Sequence, residues 1–307
     1  MTDSNDFFFS ICIPAYNRAY TINRCLDSLI KQTYKNFEVI FVDDGSTDNT
    51  ENIVHEYYDK LHLRYFKKNN GGKHTALNVG IKNAGNSELF MILDSDDWLK
   101  PDALEFFYLT WEQIKSKKNN YCGIMARCAD QNEKLLGPLF KTDSFSIDYV
   151  TFHFGGIDYG DCNECIKTSI IKNYEFPEPK NTKFIPEYYI FDQIGVKYKI
   201  FGTNRITQNK EYSEDGITKN VLEYMKKNWI GYFYANICRL EKVVPYAGNR
   251  ITPKQVFTLW YEYWRFCYFD KEKNVKRIIH ISLIGYLAKT KFQLKRILVA
   301  LSIKKEI

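Results

Sequence analysis

The chain has 307 residues, 45% apolar and 16% aromatic, which is enough for a packed core and excludes a disordered or low-complexity chain. Its net charge of +6 is uneven: from Glu223 onward 17 Lys and Arg stand against 6 Asp and Glu, a net +11 that leaves −5 for residues 1–222, so the two parts face different partners. The eight cysteines are scattered, no basic region, apolar core and cleavage site precede the first strand, and the apolar stretch Ile278 to Ala288 falls short of the ~20 residues that span a bilayer; free thiols in a reducing cytosol and no transmembrane helix are expected.

Phe7 to Ile13 reads as a buried strand, stopped at Pro14-Ala15-Tyr16-Asn17 because proline cannot donate to a ladder. Ile22, Leu26, Leu29 and Ile30 have the spacing of a helix with one buried stripe, and a strand from Phe37 to Val42 completes a β-α-β unit. That strand ends in Asp43-Asp44-Gly45-Ser46-Thr47-Asp48, a tight turn and helix cap ahead of Ile53, Val54 and Tyr57. A third strand, Leu63 to Phe66, leads to Asn69-Asn70-Gly71-Gly72-Lys73-His74 and a helix reaching about Ala84, with Ala76, Leu77, Val79, Gly80 and Ile81 on a closely packing side. The apolar run Leu89 to Leu93 then delivers Asp94-Ser95-Asp96-Asp97 just before a helix start at Lys100-Pro101-Asp102.

Alternating strands and helices argue a mainly parallel sheet covered on both faces, and right-handed crossovers put every strand's carboxyl end on one edge. Tyr16-Asn17, Asp43-Asp44, Gly71-Gly72-Lys73 and the acidic cluster all lie on that edge. Taken singly, each has a bland reading: a packed aromatic, a turn or cap, a plain loop, a surface charge, a solvated acidic turn. Together they describe one pocket at the edge where open α/β sheets bind ligands. Carboxylates this close repel one another and gain from a divalent cation, and oxygen ligands favour Mg²⁺, Mn²⁺ or Ca²⁺.

The pocket's chemistry suits a nucleoside diphosphate. Tyr16 can stack on a base, and Asp44 can accept from a uracil or guanine N–H. The Gly71-Gly72 amides and Lys73 can meet phosphate oxygens, and Asp96 or Asp94 can hold a metal bridging the two phosphates. Neither G-x-G-x-x-G after the first strand nor a Gly-Lys-Ser/Thr loop is present, which disfavours NAD binding and ATP hydrolysis and leaves the diphosphate as a leaving group.

Beyond Asn120 the signals thin. Tyr121 to Arg127 reads as a strand, while Lys141 to Phe154 has no clear period. Gly160-Asp161-Cys162-Asn163-Glu164 and Phe184-Ile185-Pro186-Glu187 follow, the latter ahead of a helix carrying Ile190, Phe191 and Ile194. Cys162 and Cys165 have redox or zinc spacing but no second pair. After Leu222, aromatic-rich segments around Trp229 and Trp260 read as helices, and the last thirty residues mix apolar residues with Lys289, Lys291, Lys295, Arg296, Lys304 and Lys305. Such a segment can lie in a membrane interface; packing on the catalytic domain or forming a dimer is the competing reading.

Ile13-Pro14-Ala15-Tyr16-Asn17, Val42-Asp43-Asp44-Gly45-Ser46, Gly71-Gly72-Lys73-His74 and Leu93-Asp94-Ser95-Asp96-Asp97 closely resemble, in order and spacing, the signatures of family 2 glycosyltransferases. The match is strong over roughly the first 110 residues and weak to about Thr218. The resemblance implies a GT-A fold over 1–222, with a nucleotide-sugar half to about 118 and an acceptor half after it, followed by a helical extension over 223–307. It implies a hexosyl- or N-acetylhexosaminyltransferase dependent on Mn²⁺ or Mg²⁺ that moves a sugar with inversion from a nucleotide donor, usually a UDP-sugar, to a glycan hydroxyl. The expected donor residues are Pro14, Tyr16, Asn17, Asp44, Gly72, Lys73, Asp94, Ser95 and Asp96. Asp96, with Asp94, matches the metal carboxylates, and Asp97 is supporting.

On the acceptor side, the carboxylate ahead of a helix serves as general base in this family, which selects Glu187, with Asp161 and Glu164 orienting the acceptor. Many members carry Glu-Asp there, whereas Tyr188 follows Glu187 here. Tyr212 to Thr218 resembles the family's closing segment. By analogy the acceptor is a lipid-linked oligosaccharide of a bacterial surface polysaccharide, the enzyme is cytoplasmic or peripheral on the inner face of the membrane, and a homo-oligomer is allowed. A sugar nucleotidyltransferase would want a Gly-rich basic loop where Pro14-Ala15-Tyr16-Asn17 stands, and intact Asp96 and Glu187 argue against a silent scaffold. No nucleic acid is expected.

Overall fold

The computed structural model describes residues 7–117, 120–156, 159–211, 221–273 and 275–300; the expected closing segment Tyr212 to Thr218, and Lys304 and Lys305, lie outside them. In chain order the elements are β1 (Phe9–Ala15), α1 (Ile22–Ile30), β2 (Phe37–Asp43), α2 (Thr50–His55), β3 (Leu63–Lys67), α3 (Lys73–Asn83), β4 (Leu89–Ile92), β5 (Trp98–Leu99), α4 (Ala103–Ile114), β6 (Tyr121–Asp130) and β7 (Ser144–Ile147). There follow α5 (Tyr149–Phe154), β8 (Cys162–Lys167), α6 (Thr168–Ile171), α7 (Tyr188–Lys197), β9 (Lys199–Lys210), α8 (Val221–Lys227), α9 (Trp229–Cys238), a π-helical turn (Arg239–Val243), α10 (Val244–Ala247), α11 (Pro253–Phe269) and α12 (Leu283–Ala300).

Among the described residues nine strands form one sheet in the order β3-β2-β1-β4-β8-β6-β9-β5, with β7 also on β9. The first four pair in parallel, as the alternation of strand and helix predicts. The second half is more mixed than expected: β8 runs antiparallel between β4 and β6, and β9 takes β6 in parallel but β5 and β7 antiparallel.

β1 and β2 are buried along their whole length, because helices cover both faces of the sheet. Alternation along β1 sends Ile11 and Ile13 into a core shared with α1 and α4, and Cys12 into a second core shared with α3 and α7. Gly80 lets α3 lie close on β1, since a Cβ there would meet Cys12 Sγ at 2.1 Å. On β8, Cys162 and Cys165 stand three residues apart and so point to opposite faces, which rules out the zinc or redox pairing their spacing allowed.

The C-terminal helices pack on this body. α9 contributes Ala235 and Cys238 to the α3/α7 core, and Phe233 joins Trp260, Tyr263 and Phe266 of α11 in a core of their own. Among the described residues no helix is long and apolar enough to cross a membrane.

Candidate active site

Two cavities open at the carboxyl edge of the parallel strands. One, of about 440 Å³, is lined by Pro14, Tyr16, Asp44, Gly72, Ser95 and Asp96, and also by Arg18, Lys183 and the α8 residues Tyr224 and Lys227. The other, of about 680 Å³, is lined by Glu164, Glu187, Tyr188, His153, Phe152 and Phe191. Lys73, Asp94, Asp161 and Lys210 border both. Every expected donor residue but one thus lines the first cavity, Glu187 and Glu164 stand on the far side of a common wall, and Asp161 belongs to that wall.

Asn17 is the exception. It adopts φ 52°, its amide donates to Ser46 Oγ at 2.9 Å, and its Oδ1 accepts from the Thr47 amide at 2.9 Å. It ties the β1 loop to the β2 loop and does not line the donor cavity.

The Gly-Gly loop also departs from expectation. The Gly71 and Gly72 amides donate to Asp44 Oδ1 and Oδ2 at 2.8 and 2.6 Å, so they satisfy a buried carboxylate and are not aimed at a phosphate. Lys68 Nζ completes the cluster 2.8 Å from Asp44 Oδ1. Gly72 is required by shape: its φ is +99°, and a Cβ would sit 2.0 Å from the Lys183 carbonyl oxygen.

Lys73 opens α3 and its ammonium bridges Asp94 Oδ1 at 2.5 Å and Glu187 Oε1 at 2.7 Å. Burial alone would lower its proton affinity, but the two carboxylates overturn that and raise it above the ordinary lysine range. Sequence reasoning missed the second cation, Lys210. The antiparallel register of β5 on β9 sets Trp98 opposite Asn209 and so brings Lys210 beside Asp97. Its Nζ lies 3.2 Å from Asp97 Oδ2 and 3.7 Å from both Asp94 Oδ2 and Asp161 Oδ2.

The acidic turn is held from behind. Arg24 donates to the Asp96 carbonyl at 2.8 Å, and Gln208 Nε2 to Asp97 Oδ2 at 2.7 Å. Burial would raise the Asp94 carboxyl, but Lys73 and Lys210 hold it well below the usual carboxylate range. Asp97 is raised by burial and by Asp94 and Asp96, against the pull of Lys210. Asp96 is raised by burial and then by Asp94, and among the described residues it forms no ion pair.

These differences test the fit of a divalent cation. Asp96 offers carboxylate oxygens uncommitted to any ammonium at the edge of the donor cavity, which suits a hard cation completed by phosphate oxygens. Asp94, expected as a ligand, already has an ammonium on each oxygen. Among the described residues no group of three His, Cys, Asp or Glu side chains converges as a closed metal site.

On the acceptor side, Glu164 is raised to about 8, first by burial and then by Asp161 and Glu187, with Lys210 opposing. It is therefore largely protonated at neutral pH and can donate a hydrogen bond. His153 Nδ1 sits 2.5 Å from Asp192 Oδ1, and Asp192 Oδ2 accepts from Arg239 Nε at 2.6 Å, so the buried Asp192 orients the imidazole on the cavity wall.

The sequence model of Glycosyl transferase family 2 matches residues 10–162. Hyaluronan synthase of Pasteurella multocida is 44% identical over 227 residues, covering 71% of this chain and 22% of that protein. An uncharacterized glycosyltransferase of Rickettsia typhi is 49% identical over 115 residues, covering 37% of this chain and 35% of that protein. The chain thus spans well under half the length of either relative. Among solved structures, S. aureus TarS 1-349 in complex with UDP superposes with a TM-score of 0.60 at 20% identity, over 88% of this chain and 75% of that one. Sheet order and superposition give the GT-A fold, and the matched motifs carry its strand-end loops: the chain belongs to glycosyltransferase family 2.

Proposed function

We propose that this chain catalyses transfer of a sugar, with inversion and with the help of Mn²⁺ or Mg²⁺, from a UDP-sugar to a hydroxyl of a glycan acceptor. The observation that carries the reading is the common wall: Lys73 and Asp94 separate a cavity whose Arg18, Lys73, Lys183 and Lys210 can meet a diphosphate from an aromatic and acidic cavity holding Glu187. Family membership and the hyaluronan synthase relative support a nucleotide-sugar donor.

In this reading Tyr16 and Asp44 meet the base, while Arg18, Lys73, Lys183 and Lys210 supply positive charge to the diphosphate. A divalent cation held by Asp96 would add Lewis-acid stabilisation of the leaving diphosphate. Glu187 takes the proton from the acceptor hydroxyl as its oxygen bonds to the anomeric carbon, and the carbon–oxygen bond to the diphosphate breaks on the opposite face. The protonated carboxyl of Glu164 and the His153 side chain hydrogen-bond the acceptor sugar, and Phe152 and Phe191 offer it apolar surface. The catalytic domain spans 1–222, with 223–307 as a helical extension whose first helix closes the donor cavity. The acceptor is a lipid-linked glycan of a polysaccharide pathway, met at the inner face of the cytoplasmic membrane.

The test is a screen of UDP-sugars with Mn²⁺ against simple glycosides, reading UDP release and the product anomer by NMR. UDP release with an inverted anomeric centre supports the reading. A retained centre, or product formed from UTP and a sugar phosphate, contradicts it.

A further inference from the structure

α12 turns two opposite faces to different surroundings. On one, Ala288 and Phe292 are buried, Phe292 packs edge-on against Tyr261 and Tyr268, and Trp264 Nε1 donates to the Gly285 carbonyl at 2.8 Å. Gly285 allows that approach, since a Cβ there would lie 2.8 Å from the Trp260 ring. This face is committed to α11. On the other, Leu283, Tyr286, Leu287, Leu294 and Ile297 are each between 54% and 77% exposed. At 100° per residue these five fall within an arc of about 100°, an apolar stripe that among residues 283–297 Thr290 alone interrupts, its hydroxyl donating to the Tyr286 carbonyl.

The stripe is rimmed by cations on both sides. Lys291 and Lys295 flank one side, Lys289 and Arg296 the other, and from Lys273 to Lys305 the sequence has no Asp or Glu. The cations over Trp264, Phe257 and Tyr268, at 4.7, 5.3 and 4.0 Å for Lys289, Lys291 and Arg296, hold their side chains along the α11 boundary, beside the stripe. A second copy of α12 laid on this stripe would bring two cationic rims together with no carboxylate on either helix to pair them. An anionic lipid surface satisfies both features, taking the stripe at the acyl boundary and the cations at the headgroups.

We propose that α12 docks the protein on an anionic bilayer, with the Leu283–Ile297 stripe facing the lipid. This gives a structural basis to the membrane location in the proposed function and is independent of the donor and base assignments.

The experiment is flotation of the full chain with vesicles of phosphatidylcholine alone and of phosphatidylcholine with phosphatidylglycerol, beside sedimentation velocity and thermal unfolding with UDP and Mn²⁺. The wild type is expected to float with the anionic vesicles, less at high salt, and not with the zwitterionic ones. Leu283→Gln/Leu287→Gln/Leu294→Gln, all on exposed positions, is expected to lower the vesicle partition coefficient at least tenfold, with the UDP response unchanged. Lys291→Gln/Arg296→Gln is expected to act in the same direction without touching the stripe. Equal flotation of wild type and triple variant overturns the proposal, as does a wild type that never floats or a dimer that the triple variant splits without vesicle binding. Flotation that survives while UDP fails to stabilise the wild type supports the docking surface and counts only against the donor reading.

Discussion

The Lys73 ammonium lies 2.7 Å from Glu187 Oε1 and reaches across to Asp94 Oδ1 at 2.5 Å. One side chain thus sets the separation between the donor-side carboxylates and the expected base. Lys73→Met leaves both carboxylates without this partner in a largely buried site. Its cost is expected to be on the order of 3 kcal/mol in urea unfolding, with transfer lost as well. A variant as stable as wild type would mean that the bridge does not organise the wall.

Glu187→Gln keeps the size of the side chain and removes its ability to take a proton. A fall in kcat of about 10² to 10⁴ is expected, with the stabilisation by UDP intact. Near-normal turnover in the folded variant would move the base elsewhere in the cavity, to Asp161 first.

Glu164 carries a pH signature. Its folded-state value of about 8 lies above the ~4.3 of an unfolded glutamate, so the native state holds a proton that the unfolded chain sheds. The wild type therefore loses stability as pH rises from about 4.5 to 8. Glu164→Gln removes that loss, and its stability advantage should be small at pH 4 and grow to a plateau above pH 8 in a urea-unfolding series. An advantage independent of pH would contradict the assignment.

Gly72→Ala puts a methyl group at φ +99° and 2.0 Å from the Lys183 carbonyl oxygen. The loop must shift, and with it the amide that holds Asp44. A loss of more than about 1 kcal/mol is expected, together with weaker UDP binding, measured by unfolding and by calorimetry.

The N-terminal half was legible because each of its first two strands is buried on both faces and therefore appears as an unbroken apolar run ended by turn residues. Past Asn120 that code fails for a physical reason. β7 is four residues long and α5 is six, too short for any period to develop. Lys210 was invisible for a different reason. Its neighbours Asp94, Asp97 and Asp161 are all distant in sequence, and only the β5–β9 register unites them. A glycine pair at a helix start so often serves a phosphate that the sequence alone points the Gly71-Gly72 amides there. Here the buried Asp44 carboxylate has the prior claim, since leaving it without donors would cost more than leaving a surface loop less ordered. Asn17, likewise, carries a positive φ that no local pattern reveals.

A donor site for uridine diphosphate with Asp96 as the metal carboxylate is open to direct test by thermal unfolding. Wild type and Asp96→Asn are compared with UDP, GDP, CDP and ADP, each with and without Mn²⁺. A ligand at a hundred times its Kd stabilises by about 2.7 kcal/mol, enough to move the midpoint visibly. UDP is expected to stabilise the wild type, to need Mn²⁺ to do so, and to lose the effect in Asp96→Asn. A wild type that no nucleotide stabilises, or an Asp96→Asn variant that responds to UDP and Mn²⁺ as fully as wild type, would contradict it.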